Sequence, residues 1–102
     1  MKILVTGANG NIGWYVVESL KRAHPNAEIV AATRADADLI DNGATRELVK
    51  RVKPEYVVHA AAKPYNADVF RNRPYDVFTE DVTMCMNVLD GCIDEGVKKI
   101  VL

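Results

Sequence analysis

Lys2-Ile3-Leu4-Val5-Thr6, followed by Gly7-Ala8-Asn9-Gly10-Asn11-Ile12-Gly13, decides the fold of this chain. The opening run is continuously apolar and rich in β-branched side chains, the pattern of a strand buried on both faces. The glycines follow at GxxGxxG spacing. From about Asn11 to His24 the pattern turns helical, with Ile12, Val16, Leu20 and Ala23 predicted on one face and Glu18, Lys21 and Arg22 elsewhere. Pro25 ends that helix. Each glycine has a physical reason. Gly7 lets the chain turn sharply out of the strand, Gly10 lets backbone approach a pyrophosphate with no Cβ in the way, and Gly13 lets the helix pack closely on the sheet. The unpaired N–H groups of the first helical turn, with a dipole of about half a positive charge, favour phosphate at the loop. A glycine pattern by itself is weak evidence, but its place between a strand and a helix makes it much stronger. It is not the GxxxxGK[ST] loop of mononucleotide enzymes, because neither Lys-Ser nor Lys-Thr follows Gly10 or Gly13.

Outward from this unit, strands and helices alternate. Residues 28–33 (EIVAAT) read as a second buried strand, and Asp38-Leu39-Ile40 as a short third one. Residues 44–53 read as a helix with Leu48, Val49 and Val52 inward, stopped by Pro54, and 56–60 (YVVHA) as the next buried strand. A long helix is predicted over 74–95, with Pro74 in its first turn, Phe78, Val82, Cys85, Leu89 and Cys92 as its stripe, and Gly96 as its C-terminal cap. Residues 97–102 (VKKIVL) begin a last strand. Apolar strands alternating with amphipathic helices imply an α/β fold, a doubly wound parallel sheet covered on both faces. With right-handed crossovers and the first strand central, the predicted order is Rossmann-like, 3-2-1-4-5, truncated after the fifth strand.

At 102 residues the chain has room for one domain and one core, not for a second, substrate-binding one. A formal net charge of −1 gives no reason to expect nucleic acid as a partner, and Lys50, Arg51 and Lys53 read as a solvated helix end. Cys85 and Cys92 lie seven apart on one helix, too distant to bridge and without the spacing of a metal site; free thiols in a reducing compartment are expected. Neither a secretory signal nor an apolar run near the roughly 20 residues of a membrane span is legible, so the expectation is a soluble, cytoplasmic protein.

The stretches ILVTGANGNIG (3–13), DLID (38–41), PEYVVHAAA (54–62), NVL (87–89) and GVKKIVL (96–102) resemble the extended short-chain dehydrogenase/reductase family of NAD-dependent epimerases, dehydratases and reductases. HAAAK (59–63) looks most like its GDP-fucose synthase branch. The resemblance implies that residues 1–102 are the NAD(P)-binding part of a nucleotide-sugar enzyme. It implies roles by position: Gly7, Gly10 and Gly13 at the diphosphate, with contacts from Asn9, Asn11 and Ile12; Asp38 and Leu39 at the adenine; Ala60, Ala61, Ala62 and, beside them, Lys63 along the cofactor. His59 is expected to pack and hydrogen-bond rather than to catalyse. Cofactor choice turns on Thr33-Arg34 at the end of the second strand. Members that prefer NAD place an acid there, whereas a guanidinium suits a 2′-phosphate, so NADP(H) is expected over NAD(H).

The family's catalytic Ser/Thr and Tyr-x-x-x-Lys are absent. Tyr15, Tyr56, Tyr65 and Tyr75 are followed four residues on by Ser19, Ala60, Val69 and Thr79. Asp81 stands where the family usually has asparagine. Three readings are therefore open: a dinucleotide-binding unit without catalysis of its own, half of an enzyme completed by a second chain, or a non-enzymatic cofactor-sensing domain. A homodimer or partner chain would meet the 74–95 helix and the terminal strand; Tyr75, Met84 and Met86 are candidates for that contact and, equally, for the core.

Overall fold

The computed structural model describes residues 1–62 and 71–102. The elements in chain order are strand β1 (Lys2–Thr6), helix α1 (Asn11–Ala23), strand β2 (Glu28–Ala31), helix α2 (Asn42–Val52), strand β3 (Tyr56–His59), helix α3 (Pro74–Asp94) and strand β4 (Lys99–Val101). The strands pair in the order β2-β1-β3-β4, all parallel. Leu4 lies beside Val30 on one side and Val57 on the other, and Ile100 continues the row.

Alternation along β1 divides the core between the two faces of the sheet. Leu4 points to one face and joins Val57, Leu48, Val49, Val52, Met84, Val88 and Cys92 beneath α2 and α3. Ile3 and Val5 point to the other and pack with Val17 of α1, flanked by Val16, Leu20, Ile29 and Val58. This is the doubly wound arrangement that the alternating pattern implies. Leu4, Val5 and Val57 are fully buried at its centre, each stabilising the fold by about 1.5–3 kcal/mol relative to exposure. Burial also pushes the Cys92 thiol up to about 11, because an apolar surrounding disfavours the thiolate.

Helix ends follow local chemistry. The Asp41 carboxylate caps α2 by accepting the Ala44 N–H at 3.0 Å. Helix α3 ends as its glycine predicts. Gly96 takes φ +66°, the Val97 N–H reaches the Cys92 carbonyl, and the Gly96 N–H reaches that of Ile93, a Schellman motif. Helix α1 differs: Gly10 precedes it, no side chain among the described residues caps it and no acid stands in its first turn.

Three expectations are corrected. Asp38-Leu39-Ile40 is not a strand, so the order lacks the outermost member of the predicted series. Asp38 turns the chain instead: its Oδ1 accepts the Ile40 N–H at 3.2 Å and its carbonyl accepts the Asp41 N–H at 3.0 Å. The face of α1 is rotated from prediction, with Ile12 73% exposed while Gly13 and Val17 are buried. A Cβ on Gly13 would lie 1.9 Å from the Gly7 carbonyl oxygen, so that glycine has to face the loop, and residue 17, one turn on, follows it onto the sheet. The inward face of α3 is Val77, Met84, Val88, Gly91 and Cys92, whereas Phe78 is exposed. Of the three residues for which core and partner contact were equally expected, Met84 is core, and Tyr75 and Met86 are exposed.

Candidate functional site

The carboxyl ends of β1, β2 and β3 meet where the chain, having laid β2 on one side of β1, crosses to lay β3 on the other. Such a reversal leaves a crevice outside the strand ends. A cavity of about 360 Å³ opens here, within the range of roughly 300–1,000 Å³ typical of small-molecule sites. Nine of the residues singled out from sequence line it: Gly7, Asn9, Gly10, Arg34, Asp38, Leu39, Ala60, Ala61 and Ala62. Asn11 and Ile12, exposed in the first turn of α1, and Gly13, buried behind the loop, stand outside the lining. Lys63 lies outside the described residues.

The wall formed by the glycine loop is made of backbone. The Gly10 N–H donates to the Gly7 carbonyl at 3.0 Å, and the first helical bond runs from the Trp14 N–H to the Gly10 carbonyl. The amides of Asn11, Ile12 and Gly13 therefore precede any intrahelical partner, and among the described residues no side chain satisfies them. Gly7 takes φ +63°, and a Cβ there would fall 2.6 Å from Ala61 Cα. That contact brings the first loop against the segment after β3. Among the described residues, a Cβ at Gly10 would meet the Gly7 oxygen alone, at 3.4 Å, which leaves the approach that a close-lying ligand requires.

The floor is fixed by Thr6. Its Oγ1 accepts the Ala60 and Ala61 N–H groups at 3.1 and 3.3 Å and lies 2.8 Å from His59 Nδ1. The hydroxyl has one proton, and with two amides donating to its oxygen that proton goes to Nδ1. His59 is thus an acceptor at Nδ1 and carries its own proton on Nε2. Burial lowers the His59 pKa, with the Asp81 carboxylate opposing that shift in part. The neutral imidazole is consistent with the packing and hydrogen-bonding role expected of it.

The far wall is made by side chains. The Asp36 carboxylate accepts the Thr33 N–H at 2.8 Å and folds 33–36 into a tight turn. Arg34 projects from that turn, its side chain 75% exposed and 3.9 Å from the Asp38 carboxylate. An exposed pair at that distance contributes about 1 kcal/mol or less, so a phosphate can displace it. Leu39 is buried. Thr6, Ala32, Thr33, Ala37, Leu48 and Met84 complete the lining, and none of these six is among the cofactor contacts expected from sequence. Thr6, Ala32 and Thr33 had an available signal, since each lies at the carboxyl end of a predicted central strand.

Residues 3–102 match the model of the NAD dependent epimerase/dehydratase family. A GDP-L-fucose synthase from Dictyostelium discoideum is 31% identical over 97% of the chain, which covers 31% of that protein. Among solved structures, a GDP-L-fucose synthetase from Naegleria fowleri bound to NADP superposes with a TM-score of 0.84 at 32% identity, over 97% of this chain and 32% of that one. A GDP-mannoheptose C4 reductase from Campylobacter jejuni with NADP bound gives 0.84 at 31% identity, over 97% and 31%. The chain thus spans about a third of the length of the curated relatives it matches. Among the described residues no helix is long and apolar enough to cross a membrane.

Proposed function

This chain belongs to the NAD dependent epimerase/dehydratase family, and from that premise we propose that its cavity binds a dinucleotide, NADP(H) in preference to NAD(H). The observation that carries the reading is the uncapped amino end of α1, which opens beside Gly7 and Gly10 on the cavity. The donors left over there carry the partial positive charge that favours a phosphate group, and glycine leaves the approach clear. In this reading the amides of the loop and of Asn11, Ile12 and Gly13 hold the diphosphate, with Asn9 beside them. Asp38 and Leu39 flank the adenine, Arg34 meets the 2′-phosphate, and Ala60, Ala61, Ala62 and Lys63 lie along the remainder. The bound cofactor supplies a hydride; residues of this chain bind and orient it. The sequence contains no Tyr-x-x-x-Lys, so the reading covers cofactor binding within a nucleotide-sugar epimerase, dehydratase or reductase and stops short of turnover by the chain on its own. The two relatives with NADP bound support the choice of cofactor.

Titration with NADPH and NADH, followed by calorimetry and by emission of the single tryptophan, Trp14, tests this. Saturable binding with NADPH the tighter ligand supports the reading. Absence of binding at millimolar NADPH removes it, and equal affinities remove Arg34 from it.

A second chain is favoured by one observation. Tyr75, Phe78, Val82, Met86 and Ile93 are exposed along α3, an apolar stripe of the kind that a neighbour covers. We propose α3, with edge strand β4, as a homodimer or partner-chain contact. Sedimentation that stays monomeric for both wild type and Phe78→Glu would remove that contact.

A further inference from the structure

Asp38 and Leu39 form the cavity wall opposite the glycine loop, yet the segment that carries them belongs to no strand or helix. Its carbonyls are held from elsewhere. Asn87, on α3 and only 7% exposed, donates from Nδ2 to the Leu39 carbonyl at 2.8 Å and to the Ile40 carbonyl at 3.0 Å. Its Oδ1 accepts from Asn42 Nδ2 at 2.9 Å. Every hydrogen-bonding atom of this side-chain amide has a partner, and the opposite amide orientation would set oxygen against two carbonyls. Asn42 is itself anchored, donating to Asp90 Oδ2 at 3.2 Å and accepting from Arg46 Nε at 2.9 Å. Arg46 also pairs with Asp94. One turn before Asn87 on the same helix, Met84 lines the cavity.

We infer that Asn87 is a positioning residue for the adenine-side wall: it substitutes for the missing sheet neighbour, fixing Asp38 and Leu39 at the distance the ligand requires without touching the ligand. The inference deepens the dinucleotide reading and rests on it. Two carbonyls fixed by one amide form a rigid turn, and such a turn costs little ordering when a ligand packs on it. Removing the amide takes the donor from both carbonyls and leaves the turn held by the Asp38 bonds to the Ile40 and Asp41 N–H groups, so that it opens more readily.

The test uses Asn87→Ala in the full chain, with two ligands and one ligand-free readout. NADPH probes both walls, and inorganic pyrophosphate, as a competitor, probes the glycine loop. Amide hydrogen exchange at Ile40 and Asp41 reports the turn. The expected result is NADPH affinity reduced about tenfold, unchanged pyrophosphate competition, and faster exchange at Ile40 and Asp41 with strand amides still protected. Equal NADPH affinity overturns the inference. So does a parallel loss for pyrophosphate, because Asn87 then acts on the whole fold. If Asn87→Ala does not fold, Asn42→Ala, an exposed substitution that removes the donor to Asn87 Oδ1, carries the same test, with about a threefold loss expected. Failure of the wild-type chain to bind NADPH overturns the functional reading, and this inference falls with it; binding by wild type with no change in the variants overturns the inference alone.

Discussion

The two walls of the cavity are built by different means. On one side, Gly7, Gly10 and the start of α1 present backbone, and the constraint lies in what side chains must not be there. On the other, 33–41 is shaped by Asp36, Asp38 and Asn87, and the constraint lies in what side chains must reach. A wall of backbone tolerates no added atom, whereas a wall of side-chain hydrogen bonds loosens gradually as they are removed. Substitutions on the two sides should therefore fail differently, the first abruptly and the second in steps.

Gly13→Ala is the sharpest break. The added carbon meets backbone at 1.9 Å, where no rotamer can yield, and an overpacking cost of about 3 kcal/mol or more is expected. Thermal melting should fall by more than about 10 °C, with NADPH binding lost; an unshifted melt would mean that α1 does not sit against the loop as described. Thr6→Val comes next. It leaves the Ala60 and Ala61 amides and His59 Nδ1 without their shared partner, and denaturant unfolding should show a loss of about 2 kcal/mol. On the side-chain wall, Arg34→Ala should leave melting unchanged and weaken NADPH about tenfold while sparing NADH. A loss common to both cofactors would place Arg34 elsewhere than at the 2′-phosphate.

The smallest effect is a pH dependence at the floor between the walls. Burial lowers the His59 pKa below its ordinary 6.5. The unfolded chain thus takes up a proton at His59 before the folded one does. The associated stability is fully present above 6.5 and is lost as pH falls from there toward the folded value. Proton titration of the imidazole by NMR should give a midpoint below 6.5, and a His59→Gln variant should show a flatter stability profile between about pH 5 and 7. A midpoint above 6.5 would show that Asp81 outweighs burial.

The same contrast explains what could be read in advance. The parallel sheet, its helices and the backbone wall were legible because their demands map onto residue types nearby in sequence: apolar runs at strands, glycine where a Cβ collides, and Gly96 past the end of α3. The third strand was misread because the segment's apolar pair, Leu39 and Ile40, has carbonyls claimed by Asn87, 48 and 47 positions away, a partner that no local pattern announces. The faces of α1 and α3 were misplaced by about one position for a related reason. Periodicity gives a stripe but not its rotation, and here Gly13 against Gly7 and Gly91 against Val49 set the rotation. For Met84, partner contact and core were equal readings of the sequence; the fold makes it core and a part of the cavity lining.

The central claim is that a seat of main-chain donors, kept clear by glycine, holds the diphosphate of a dinucleotide. It is tested most directly by measuring NADPH dissociation constants for the wild-type chain and for Gly10→Ala side by side, with melting curves for both. A Cβ at position 10 has room among the described residues, at 3.4 Å from the nearest of them, but projects where the ligand must approach. The account predicts saturable binding by wild type, a nearly unchanged melt for the variant, and affinity lower by about tenfold or more. Equal affinity in a variant that melts like wild type, or no binding by either, would contradict it.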